Sequence, residues 1–273
     1  MLEWSELSRF AAVLFASWFA IPFGVLMAYS AGTVGNRFLL EISVETLEGA
    51  MAAERGGADR LELCAELAAG GVTPGTELMR HARERVRIPA FVMIRPRAGD
   101  FVYSDAEFEE MKREIATAKE LSLGGAVLGI LTPERRVDIA RTRALVELAR
   151  PLPVTFHRAF DELLDLRGAL EDVIQTGAKR ILTSGGAKSA LEGAAMLAEL
   201  ITIAGDRIVI VPGAGISGAN IVEVARRTRA REFHSGLSSE LPYGSNDYKK
   251  FEAEVRKLSE QIGQIGQRQT NLE

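Results

Sequence analysis

The chain has 273 residues, 47% hydrophobic and 26% charged, a globular composition with enough apolar side chains for one large core. Its formal charge of -4 leaves no basic footprint and argues against nucleic acid as a partner. The single cysteine, Cys64, excludes an intramolecular disulfide framework and fits a reducing compartment.

Residues 10–31 (FAAVLFASWFAIPFGVLMAYSA) carry no charge and are long enough to cross a bilayer. Three readings of the segment 1–37 stand side by side. A signal peptide wants a basic start, and here Glu3 and Glu6 outweigh Arg9. A membrane anchor tolerates Pro22 and Gly24. A mis-assigned start, with Val34 as the alternative initiator, explains why the segment shares no pattern with the rest of the chain. A membrane partner is expected only if this segment is genuine.

From residue 38 onward short apolar runs alternate with amphipathic stretches. The runs are 38–43 (FLLEIS), 60–64, 90–96, 125–131, 153–158, 180–185, 207–213 and 231–236. Helical spacing lies between them: Leu47, Ala50, Met51 and Glu54 before a Gly56-Gly57 stop, and a capping-box spacing from Ser104 to Glu107. Further helices are expected over 137–149, 163–176, 190–203 and 219–227. Gly-Ala-Asp-Arg at 57–60 and Gly-Ala-Lys-Arg at 177–180 are near copies, each leaving a helix and entering a strand. Eight strand–helix units predict an α/β fold, a (β/α)8 TIM barrel in a single domain over 38–262, with 263–273 a polar tail that frays.

In such a barrel the site lies at the C-terminal strand ends, and side chains alternate between the interior and the helices. Leu61 and Leu63 share one face and are expected against helices, which sends Glu62 and Cys64 inward. By the same rule Leu40 and Ile42 point outward, Glu41 and Ser43 inward. Met93, Arg95 and Arg97 share a face of the third run; Thr155 and His157 come in the fifth, Thr183 in the sixth, Glu232 and His234 in the eighth. The third histidine, His81, lies among arginines and reads as a surface residue. Arg158 is expected at the rim and Asp161 as a helix N-cap ahead of Leu163. Thr183-Ser184-Gly185 and the stretch holding Gly213 and Gly215 are turns of the kind that bind anions through backbone N–H groups, although any tight turn also favours glycine.

Two chemistries fit this ring of polar groups, and a buried ion network that only fixes the fold is the plain alternative. Cys64, with Met93 or His157, offers soft ligands to Cu(I), whereas zinc finds no CxxC or HxxxH spacing. Glu41 and Glu62 on adjacent strands, about 4.8 Å apart, approach the carboxyl spacing of roughly 5 Å used in retaining glycosidases. In that reading Glu41 and Glu62 are acid and base, His157 carries a proton, and Arg95, Arg97, Arg158 and His234 hold a small polar or anionic metabolite such as a sugar derivative.

The stretches LEISVETLEGAMAAERGGADRLELCAELAAGGVTP, FVMIRPRAGDFVYSDAEFEEM, PVTFHRAFDELLD, RILTSGGAKSALEG and VPGAGISGANI, in that order, resemble the CutC copper-homeostasis family over 38 to about 262. The resemblance implies a TIM barrel, a cytoplasmic location, a homodimer and Cu(I) binding by cysteines ending the first two strands. Cys64 keeps the second of these, while Ser43 stands at the first. Glu62, Arg95, Pro96, Arg97, His157, Arg158 and Thr183-Ser184-Gly185 match the family pattern.

Overall fold

A computed structural model describes residues 38–270, so the readings of segment 1–37 lie outside the described residues. Eight strands and eight helices alternate: β1 (Leu39–Val44), α1 (Leu47–Gly56), β2 (Arg60–Leu63), α2 (Thr76–Arg85), β3 (Ala90–Met93), α3 (Asp105–Glu120), β4 (Gly125–Leu128) and α4 (Ile139–Ala149). The second half continues with β5 (Val154–Phe156), α5 (Leu166–Thr176), β6 (Arg180–Thr183), α6 (Ala194–Ala204), β7 (Val209–Pro212), α7 (Ile221–Thr228), β8 (Glu232–Ser235) and α8 (Tyr248–Thr270). All strand pairs are parallel in the order β7-β6-β5-β4-β3-β2-β1-β8, and contacts between β7 and β8 bring the sheet to near-closure. This is a TIM barrel, and no described helix is long and apolar enough to cross a membrane.

Local chemistry sets the boundaries. Thr46 accepts from the Gly49 N–H at the start of α1, and Ser104 and Glu107 close a reciprocal capping box on α3. Asp165, rather than Asp161, caps α5, whose start moves to Leu166 because a 3-10 turn (Arg158–Glu162) comes first. The polar stretch after residue 262 does not end the fold, because α8 continues to Thr270.

Leu40, Ile42, Leu61 and Leu63 point outward and are fully buried under the helices. Each such side chain contributes about 1.5–3 kcal/mol. The barrel interior is different. Arg60 of β2 and Arg180 of β6, the two arginines of the near-repeated motif, both reach Glu232, at 2.8 and 3.2 Å. Their guanidinium carbons lie 5.0 and 4.9 Å from the centre of the Phe91 ring, and Arg60 also binds the Glu41 carboxylate. In the strand order β2 and β6 are four apart, so the two arginines come from opposite sides of the barrel to its middle. A charged floor of Glu41, Arg60, Arg180 and Glu232 therefore underlies the C-terminal mouth.

Candidate functional site

At the C-terminal mouth a cavity of about 260 Å³ is lined by Ser43, Glu62, Met93, Arg95, His157 and His234, among others. Strand register builds its deepest part. Glu41 pairs with His234 across β1–β8, and Ser43 with Glu62 across β1–β2. His234 Nδ1 lies 2.8 Å from Glu41 Oε1, and its Nε2 lies 3.8 Å from Glu62 Oε2. Burial opposes ionisation of Glu41, but Arg60 and His234 outweigh it and hold the carboxyl well below the usual range. Burial likewise opposes the His234 imidazolium, yet the charges of Glu62 and Glu41 raise its pKa. Burial and the neighbouring Glu41 raise the pKa of Glu62 despite His234. Glu41, expected as one of two catalytic carboxyls, does not line the cavity: both its oxygens are engaged, one by Arg60 and one by His234. It orients His234 instead.

His157 is placed by the turn after β5. Its Nδ1 accepts from the Ala159 N–H at 3.2 Å, which assigns the proton to Nε2, and that atom is buried without a partner. Gly129 makes room for the ring, since a Cβ there would lie 2.7 Å from two imidazole atoms. Burial first, then the charge of Arg95, brings the His157 pKa down to about 3. The side chain is thus a neutral donor near pH 7, not the proton carrier expected from its position.

Arg95 is a fixed cation. Its Nη1 donates to Gly71 O at 2.9 Å and its Nη2 to Gly99 O at 2.8 Å, while its guanidinium carbon lies 4.7 Å from the centre of the Phe101 ring. Its Nε has no partner, and Glu62 Oε1 is equally unpartnered. Phe101 also packs against His157, with centroids 4.9 Å apart, and so braces both donors.

Several expected ligand residues serve elsewhere. Arg97 lies past the end of β3, where alternation no longer applies; it binds Glu107, Asp100 and the carbonyl of Val102, organising its own loop. In β6 the inward positions fall to Arg180 and Leu182, so Thr183 faces away and donates to Asp161. The Asp161 carboxylate also accepts from the N–H groups of Ser184 (3.0 Å) and Gly186 (3.1 Å), and the Gly185 N–H is used by Thr183. The chain's own aspartate therefore fills the anion-binding turn read from Thr183, Ser184 and Gly185. Arg158 stays at the cavity rim, 2.8 Å from Asp161. Gly213 is a packing glycine, because a Cβ would lie 2.5 Å from Leu182, whereas Gly215 does line the cavity. His81 is half-exposed beside Glu77.

Cys64 is fully buried, and its Sγ donates to Glu62 Oε2 at 3.4 Å. Burial, then the charge of Glu62, pushes its thiol well above the usual range. A Cβ at Gly71 would touch both Cys64 Sγ (3.3 Å) and Met93 Cε (3.6 Å), so the two sulfur side chains border one spot. Ligand atoms of Glu41, Glu62 and His234 lie within 4.8 Å of one another. The engagement of Glu41 by Arg60 and His234 leaves Glu62 as the carboxylate of that trio with an unused oxygen.

A profile of the CutC family matches residues 38–239. The copper homeostasis protein cutC homolog of Mus musculus is 47% identical over 210 residues, 77% of each chain. The family protein CutC of Xanthomonas campestris pv. campestris (strain 8004) is 48% identical over 196 residues, 72% of this chain and 82% of that one. The crystal structure of the putative copper homeostasis protein CutC from Streptococcus agalactiae superposes with a TM-score of 0.70 at 32% identity, covering 73% of this chain and 98% of that one. Phosphoribosyl anthranilate isomerase from Thermotoga maritima, at 14% identity and a TM-score of 0.55 over 83% of this chain and 99% of that one, shares the fold alone.

Proposed function

The chain belongs to the CutC family, and from that premise we propose that its working site is the mouth cavity. There a small polar or anionic molecule is held by Arg95 and His157 and exchanges a proton with the Glu62–His234 pair. One observation carries this reading: Glu62 Oε1, Arg95 Nε and His157 Nε2, from three residues lining one cavity, are all buried without partners. A buried polar group left unpaired costs about 1–3 kcal/mol, and a ligand that drew any of the three into a hydrogen bond would recover part of that cost. The test is a thermal-melt screen of the full chain against oxalate, pyruvate, dihydroxyacetone and inorganic phosphate, followed by turnover assays of whatever binds. Glu62→Gln is expected to keep binding and lose turnover, with Cys64→Ser close to wild type in both. Failure of every small anion and hydroxycarbonyl to raise the melting temperature overturns the reading.

A second reading rests on the shared spot beside Cys64 and Met93. Cu(I), as cargo, would take the Cys64 thiolate and the Met93 thioether, and Glu62, which already accepts the thiol hydrogen, would receive the proton. Competition for Cu(I) with a chromogenic chelator checks this: stoichiometric binding lost in Cys64→Ser supports it, and equal weak binding in both proteins refutes it. In either case we place the protein in the cytoplasm as a homodimer. Fractionation and light scattering of the full chain test that assignment.

A further inference from the structure

Resting on the small-molecule reading above, we propose that the substrate is a carbonyl compound with an enolisable C–H beside its carbonyl, a 2-hydroxycarbonyl or 2-oxo acid, and that the cavity forms and reprotonates its enolate.

The donors argue for an oxygen that gains charge. His157 can only donate, because its Nδ1 is occupied by the Ala159 N–H and its Nε2 hydrogen has no partner. A neutral imidazole of this kind is a poor acid and a poor base, but it polarises a carbonyl and stabilises the oxyanion that develops. Arg95 is anchored by two carbonyls through its terminal nitrogens and braced by Phe101, so its charge is fixed at the cavity wall, with Nε–H buried and unpartnered. Both side chains line the cavity that also holds Glu62.

The base is distinct from the donors. Glu62 lines the cavity and keeps one carboxylate oxygen with no partner, the atom free to take a carbon-bound proton. His234 stands behind it at 3.8 Å, held in turn by Glu41. A hydrolytic site needs a second acid free to protonate a leaving group. His234 meets carboxylates on both ring nitrogens and His157 stays neutral, so that second acid is lacking among these residues.

The step balances without a co-reactant. The Glu62 carboxylate takes the proton from the α-carbon, the C–H electron pair becomes the C=C π bond, and the carbonyl π pair moves onto oxygen. Arg95 Nε–H and His157 Nε2–H hold that oxygen. Return of the proton from Glu62 to the same carbon restores the carbonyl compound, and in D₂O it gives exchange of the α-proton for deuterium.

The experiment is proton NMR of dihydroxyacetone, glyceraldehyde and pyruvate in D₂O with the full chain, tracking loss of the α-proton signal. Oxalate, which has no such proton, serves as a binding control in thermal melts. Exchange is expected at least about tenfold above the buffer blank for one of the probes. It should fall to the blank in Glu62→Gln and drop about 100-fold in kcat in His157→Gln, the loss typical of removing one oxyanion donor. Where a variant fails to fold by circular dichroism, wild-type exchange decides alone. Stabilisation by oxalate or the probes without any exchange overturns enolisation and leaves the small-molecule reading standing. No stabilisation and no exchange overturns both.

Discussion

Arg60→Met tests the charged floor on which the mouth is built. Arg60 is 4% exposed and binds Glu41, which is 1% exposed, and Glu232. Glu232 keeps Arg180 when Arg60 is removed, so the loss falls on Glu41, left with His234 as its remaining partner. Breaking a buried pair from one side costs about 3–5 kcal/mol, because an uncompensated charge stays in a low-dielectric interior. For a domain of this size about 1 kcal/mol shifts the melting temperature by about 2–4 °C, so the expected loss is roughly 6–20 °C. The double variant Arg60→Met/Glu41→Gln removes both charges and should be more stable than Arg60→Met alone, with a coupling energy of about 0.5–3 kcal/mol. Linkage sets the sign: in the wild type Glu41 is depressed, so its stability is present above the unfolded carboxyl range and lost as pH falls through the folded value. Without Arg60 the carboxyl rises, so acid stabilises the variant relative to wild type and the gap narrows as pH falls through the variant's folded Glu41 pKa. Urea melts at several pH values read all three quantities. A single variant within about 1 kcal/mol of wild type, or a double variant less stable than Arg60→Met, refutes the assignment of the floor as a compensated charge unit.

His157 is depressed from 6.5 to about 3 by burial, so between those values the unfolded chain binds the extra proton and stability falls as pH is lowered. Wild type should lose about 1.4 kcal/mol per pH unit from this residue across that window, and a urea-melt comparison should find that slope absent in His157→Gln. Gly129→Ala puts a methyl 2.7 Å from the His157 ring. Overpacking of this kind costs about 1–3 kcal/mol, and the variant should also lose the ligand-induced rise in melting temperature; one that melts and binds like wild type contradicts the tight wall.

The barrel and its inward set are legible wherever the two faces of a strand differ in polarity. Leu40 and Ile42 against Glu41 and Ser43, and Leu61 and Leu63 against Glu62 and Cys64, divide cleanly by period-two alternation. The same rule puts Arg60 on the Glu62 face, but a charged residue at a strand start reads as a boundary, and only the fold shows it reaching Glu41 across the β1–β2 pair. β6 defeats the rule because Arg180-Ile181-Leu182-Thr183 offers one apolar and one polar residue to each face. Arg97 misleads because β3 ends at Met93 and Pro96 redirects the chain. Asp161 is hidden from spacing, since its partners lie 22 to 25 residues downstream in another loop.

Asp161 also bears on what the cavity binds, because its donors are those of an anion site. Its carboxylate collects two backbone N–H groups, the Thr183 hydroxyl and Arg158 Nε, an arrangement that phosphate takes at many barrel mouths. Here the anion is built into the chain, so an incoming ligand must find its charge partner at Arg95 instead. Asp161→Gly removes the internal carboxylate and leaves four donors facing one gap. The variant should lose at least about 1.5–3 kcal/mol, the worth of a single hydrogen bond to a charged group, and inorganic phosphate should restore part of that loss. At matched ionic strength, phosphate should raise the melting temperature of the variant more than chloride does, and more than it raises that of wild type. Equal response of the two proteins to phosphate would mean that the turn is held by its backbone alone and that Asp161 does not stand in for a bound anion.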